Sequence, residues 1–120
     1  MTVAAAVDIT APDQDALIAA AATFAQQRGE PCFVISIVRE IGEEERETVE
    51  RNLALITSRN ASPVMQEGDN VARSLAAIAE KFGVGTLFVK NGRRRFRRTV
   101  AEELIHLQPR FQIVVVNHDP

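Results

Sequence analysis

Tryptophan and tyrosine are absent from the 120 residues, and cysteine occurs once, at Cys32. A lone cysteine closes no intrachain disulfide and builds no thiolate metal cluster. It opens the apolar run Cys32-Phe33-Val34-Ile35-Ser36-Ile37-Val38, which predicts a buried structural thiol rather than a nucleophile. The two histidines, His106 and His118, have no neighbour at metal-ligand spacing and are expected to be surface or satisfied residues, with no metal site. No stretch approaches the roughly 20 consecutive apolar residues of a membrane span. Residues 1–7 are apolar but lack a basic n-region and meet Asp8 too soon for a secretory signal. A cytoplasmic protein without a membrane partner is expected.

What is present is ordinary for one globular domain covering residues 1–120, with 46% hydrophobic and 25% charged side chains. Apolar runs alternate with helical patterns from end to end. The run 2–9 precedes a stripe at Ala16, Leu17, Ala20, Ala21 and Phe24, with Pro12 near its start and Gly29 past its end. The run 32–38 leads through the acidic stretch Glu43-Glu44-Glu45-Arg46-Glu47 to a helix face at Val49, Leu53 and Ile56. A short run, 63–66, is followed after Gly68 by Val71, Leu75, Ile78 and Phe82. A strand at 85–90, a short helix from 99 to 108 stopped by Pro109, and a last run at 111–116 complete the chain. Five strands alternating with four helices predict an α/β fold in three layers, a parallel sheet covered on both faces. The apolar character of strands two, four and five predicts burial on both sides, and strand three should be shorter.

The segment Lys90-Asn91-Gly92-Arg93-Arg94-Arg95-Phe96-Arg97-Arg98-Thr99 stands out. Its first nine positions hold six cations and no acid, whereas the whole chain has net charge −2, so the remainder carries −8. It lies between a strand and Thr99-Val100-Ala101-Glu102, which has the form of a capping box with Thr99 as N-cap and Glu102 returning to the cap N–H. A helix N-terminus with arginines beside it favours a bound anion. The carboxyl ends of parallel strands are where ligands sit in such sheets. The candidate edges are therefore Asp8-Ile9-Thr10, Val38-Arg39-Glu40 and the basic segment, which converge if strands one and four are neighbours.

The order of these elements resembles the universal stress protein family over nearly the whole chain. Val3-Ala4-Ala5-Ala6-Val7-Asp8 is similar to the family's first strand, which ends in aspartate, and Gly83-Val84-Gly85-Thr86-Leu87-Phe88-Val89 falls where the family places its fourth strand. The resemblance is closest to the stress-protein-like domain of KdpD-type potassium-sensing histidine kinases, over residues 68–116: Gly-Asp-x-Val-Ala, strand, Arg-rich loop, short helix, final strand. It implies strand order 3-2-1-4-5 and a homodimer paired through the last strand. It also implies an adenine nucleotide as candidate ligand, with Asp8 near the ribose, Val38 near the adenine through its backbone, and Thr99 as the terminal hydroxyl of the phosphate loop.

The family's nucleotide binders carry Gly-x2-Gly-x9-Gly-(Ser/Thr) in that loop. Here Gly92 is the only glycine, Arg95 stands where the second would fall, and six residues separate Gly92 from Thr99. Arg93, Arg94, Arg95, Arg97 and Arg98 can instead grip phosphate or carboxylate in bidentate fashion. The reading is a non-catalytic ligand-sensing, stress-response domain that binds an anionic, phosphate-containing small molecule, or a nucleotide weakly, through these residues with Asp8, Val38, Gly92 and Thr99. No cofactor is assigned beyond the candidate adenine nucleotide. An ATP-binding protein with slow hydrolysis and a docking module whose basic loop meets a signalling protein are the alternatives. No carboxylate pair, Cys/His or Ser/His set converges on the loop, so an enzyme is not expected. The acidic remainder argues against nucleic acid despite Phe96 among the arginines.

Overall fold

The computed structural model describes residues 1–90, 99–107 and 109–116. The chain runs β1 (Thr2–Ala6), α1 (Asp15–Arg28), β2 (Cys32–Val38), α2 (Arg46–Ser58), β3 (Ser62–Glu67), α3 (Val71–Lys81), β4 (Val84–Lys90), α4 (Val100–His106) and β5 (Gln112–Val116). The strands form one sheet in the order β3-β2-β1-β4-β5, and every neighbouring pair is parallel. The expected strand order therefore holds, and β1 lies between β2 and β4. This is the point where the chain order reverses, and it places the carboxyl ends of β1 and β4 side by side.

Alternation along each strand sorts the core into two layers. Val3 and Ala5 of β1, Val34 of β2 and Phe88 of β4 face Leu17, Ile18 and Ala21 of α1 and Ile56 of α2. Ala4, Ile35, Leu87 and Val89 face Ala72, Leu75 and Ala79 of α3 and Leu104 of α4. Ala4 and Ala5 of β1 are fully buried, and their small size lets the helices of both layers approach the central strand. Phe24 of α1 meets Phe88 edge-on at 5.4 Å, while Phe33 stacks on Phe82 at 5.1 Å on the other face. Gly29 ends α1 at φ 63°, a left-handed backbone that glycine adopts without cost. Burial pushes the Cys32 thiol up to about 11, which is the structural role its run predicts.

Three expectations need correction. The first run does not stay in the sheet to residue 9: β1 stops at Ala6, and the Val7 N–H makes a last bond to the Ile35 carbonyl before the chain turns. Ile9 remains apolar because it is buried in the α1/α2 layer, not because it belongs to a strand. The third strand is shorter than the seven residues of β2 and β4 but not than the five of β1 and β5; it has six, since all of Phe33 to Val38 offers it a partner edge. Nor is β5 buried on both sides. It is an edge strand without a fully buried residue, and its apolar side chains are half-buried or exposed. Its composition matches a buried strand, but strand order alone decides which strand is last.

Acidic residues 43–45 form a 3₁₀ turn that precedes α2 rather than its first α-helical turn. Among the described residues no helix is long and apolar enough to cross a membrane.

Candidate functional site

The segment leaving β1 is held by side chains from two other elements. Ser36 Oγ, buried in β2, donates to the Val7 carbonyl at 3.1 Å. Asn52, only 3% exposed on α2, donates from Nδ2 to the carbonyls of Ile9 at 2.9 Å and Ala11 at 3.0 Å. Gln14, also buried, closes the loop: its Oε1 accepts from the Asp8 N–H at 3.3 Å and its Nε2 donates to the Pro12 carbonyl at 3.0 Å. Buried amides with their polar atoms paired in this way fix a loop more firmly than its own sequence could.

Asp8 sits at the head of this loop. Its Oδ1 accepts from the Thr10 N–H at 3.1 Å and from the Thr10 hydroxyl at 2.6 Å, an Asx turn. The side chain is exposed, so the turn holds the carboxylate at the surface of the carboxyl edge.

Across the β1/β4 boundary, Lys90 ends β4 and donates from Nζ to the Asp13 carbonyl at 3.4 Å. Thr99 caps α4: its Oγ1 accepts from the Glu102 N–H at 3.1 Å and donates to Glu102 Oε1 at 3.4 Å. Thr99 is thus the N-cap that the sequence predicts. At the start of α3, Asn70 does the same service, accepting from the Arg73 N–H at 3.0 Å.

These parts surround a cavity of about 620 Å³ at the carboxyl edge. One wall is apolar, made by Ile37 of β2, Val71 and Leu75 of α3, and Val100 of α4. The other carries Asp8, Gln14, Lys90 and Thr99. Val71 and Val100 are the first residues of their helices and stand 39% and 37% exposed on the cavity rim, unusual for β-branched apolar side chains. The volume lies within the roughly 300–1,000 Å³ of small-molecule sites, and apolar walls with a few polar groups are their common make-up.

Of the residues singled out from sequence, Asp8 and Thr99 line this cavity together. Val38 is not among the described lining residues; its side chain packs into the α1/α2 layer, its carbonyl accepts from Gly68 N–H at 3.2 Å, and its neighbour Ile37 faces the cavity. Gly92, Arg93, Arg94, Arg95, Arg97 and Arg98 lie outside the described residues. Both residues that bracket their segment, Lys90 and Thr99, line the cavity. Sequence reasoning did not single out Gln14, Ile37, Val71, Leu75, Lys90 or Val100 as site residues. The signal for Val71 and Val100 was present: each directly follows an N-capping residue, at the helix start that faces the carboxyl edge. Among the described residues no group of His, Cys, Asp and Glu could hold a metal ion.

No protein-family model matches the chain, and no curated protein matches it. Solved structures do. A universal stress protein from Archaeoglobus fulgidus superposes with TM-score 0.72 at 18% identity, over 96% of this chain and 92% of that one. The same organism's universal stress protein in complex with dAMP gives TM-score 0.70 at 19% identity, covering 96% of each chain. A universal stress protein in complex with cAMP gives TM-score 0.78 at 12% identity, over 99% of this chain and 98% of that one. The fold is that of the universal stress proteins. The likeness spans both chains, so it covers the carboxyl edge where the cavity lies.

Proposed function

We propose that this chain is a non-catalytic, ligand-sensing domain of the universal stress protein type, working in the cytoplasm, whose ligand is an adenine mononucleotide or a similar small phosphate-containing anion. The observation that carries this reading is the cavity itself. Its lining combines apolar side chains, Ile37, Val71, Leu75 and Val100, against which a base can lie, with the surface carboxylate of Asp8, and the residues on either side of the arginine-rich segment, Lys90 and Thr99, line it as well. The complexes of fold relatives with dAMP and cAMP support the same ligand class. Nothing about the described residues assembles a nucleophile with a base, which favours sensing over turnover.

The segment between Lys90 and Thr99 has one glycine where a backbone phosphate cradle uses several. Arginine side chains therefore replace backbone N–H groups as the anion holders, and a monophosphate is better matched than the longer triphosphate. The resemblance to the KdpD-type domain, which shares the Arg-rich loop, belongs to this proposal, as does regulation of a signalling protein.

The test uses the absence of Trp and Tyr. The polypeptide absorbs little near 260–280 nm, so a co-purified nucleotide would dominate the spectrum. Protein free of a 260 nm band that gains thermal stability on adding AMP, more than on adding ATP, meets the proposal. Replacing Arg93, Arg94, Arg97 and Arg98 by Gln should abolish the gain from AMP and phosphate while leaving the unliganded melting temperature nearly unchanged. Equal gain in variant and parent would leave the segment merely solvated, and a tightly held ATP surviving gel filtration would favour the ATP-binding alternative.

The apolar β5, with no further strand beside it among the described residues, supports a homodimer joined through that strand as part of the same proposal. Light scattering that gives a monomer from micromolar to millimolar concentration would remove it.

A further inference from the structure

Lys90 is the only cation among the described residues that line the cavity. Its ammonium spans from the end of β4 to the β1–α1 loop, where its partner is the Asp13 carbonyl. At 3.4 Å this bond is long against the 2.9–3.0 Å usual for N–H···O bonds, and a neutral carbonyl is a weak partner for a full charge. None of the ion pairs among the described residues involves Lys90, although Asp8 lines the same cavity. The carboxylate of Asp8 is turned instead to Thr10, through two bonds on one oxygen. A carboxylate and an ammonium that share a cavity without pairing leave one group to accept from a ligand and the other to hold an anion.

We propose that Lys90 is a specificity-determining residue that, with the arginines that follow it, makes this cavity prefer a phosphorylated nucleoside over the bare nucleoside, its ammonium leaving the Asp13 carbonyl to bind the ligand's phosphate. The inference rests on the nucleotide reading above and deepens it. The exchange needs only rotation about the lysine's own side-chain bonds, because the Asp13 carbonyl belongs to the backbone while the ammonium ends a four-carbon stem. Moving the ammonium from carbonyl to phosphate replaces a hydrogen bond to a neutral acceptor with one to an anion.

The experiment is calorimetric titration of the full chain with AMP and with adenosine at one ionic strength, for the parent, Lys90→Gln and Lys90→Arg. The parent should bind AMP more tightly than adenosine. Lys90→Gln should weaken AMP binding about tenfold and leave adenosine unchanged, the adenosine affinity serving as the check that the cavity is intact. Lys90→Arg, which keeps the charge, should retain most of the preference. A Lys90→Gln protein with the parent's ratio of AMP to adenosine affinity overturns the role of Lys90 and leaves the nucleotide reading standing. A parent that binds neither compound overturns the nucleotide reading and this inference with it.

Discussion

Residues 8–14 and residues 39–45 leave adjacent strands, β1 and β2, at the same edge of the sheet, yet they are secured in opposite ways. The first connection is tied by Asn52 and Gln14, both buried, and by Asp8 to Thr10, while Ile9 plugs into the core. The second is held by exposed or short-range contacts: the Gly42 N–H donates to Glu45 Oε1 at 2.9 Å, and at the surface Arg39 donates to the Asp69 carbonyl at 3.4 Å and pairs with its carboxylate at 3.9 Å. Only the first connection contributes side chains to the cavity. The difference teaches that placement of a site here depends on buried, long-range hydrogen bonds, whereas the acidic second connection can vary in charge without disturbing it.

That contrast can be broken at its strongest point first. Asn52→Ala removes the donor to two loop carbonyls from a buried position, and should cost about 2 kcal/mol in urea unfolding. Amide hydrogen exchange in residues 9–11 should rise along with it. Exchange confined to α2, with residues 9–11 still protected, would mean that Asn52 does not hold the loop.

Ser36→Ala and Thr99→Ala come next, each at about 1 kcal/mol, one from a lost buried hydrogen bond and the other from a lost helix cap. They differ in reach. Ser36→Ala should loosen the amides of residues 7–10, and Thr99→Ala should fray the first turn of α4 whether or not any ligand is present. Equal exchange behaviour in the two variants would erase the distinction between loop anchoring and capping.

The smallest effect belongs to the second connection. Arg39→Ala should leave the melting temperature within experimental error and equally so at 0.05 and 0.5 M salt, because an exposed pair at 3.9 Å is screened. A clear loss of stability at low salt would place Arg39 in a larger network and weaken the contrast.

Much of the fold was legible in the residues. Strand and helix periods, Gly29 past the end of α1, and the Thr99 N-cap mark the elements, and each reflects a local rule of backbone and side-chain geometry. Of the site, Asp8 and Thr99 were legible because a strand-end carboxylate and an N-cap have local signatures. Lys90 was visible as charge but not as a cavity residue. Ile37 and Val38 are neighbours in one apolar run, and only the side of the sheet each one faces separates a cavity wall from the opposite layer.

The sequence by itself determined the alternation of strands and helices, the caps, the buried thiol and the concentration of positive charge in one segment, since these follow from contacts within a few residues. Tertiary structure alone decided how little of β5 is buried despite its apolar composition, and that Asn52 of α2 secures a loop 41 to 43 residues away. It also decided that Val71 and Val100, from different helices, face one cavity. The physical reason is the same in each case. Strand order and layer packing bring together groups whose separation along the chain leaves no local pattern, and a side chain's burial and partners are set by those neighbours.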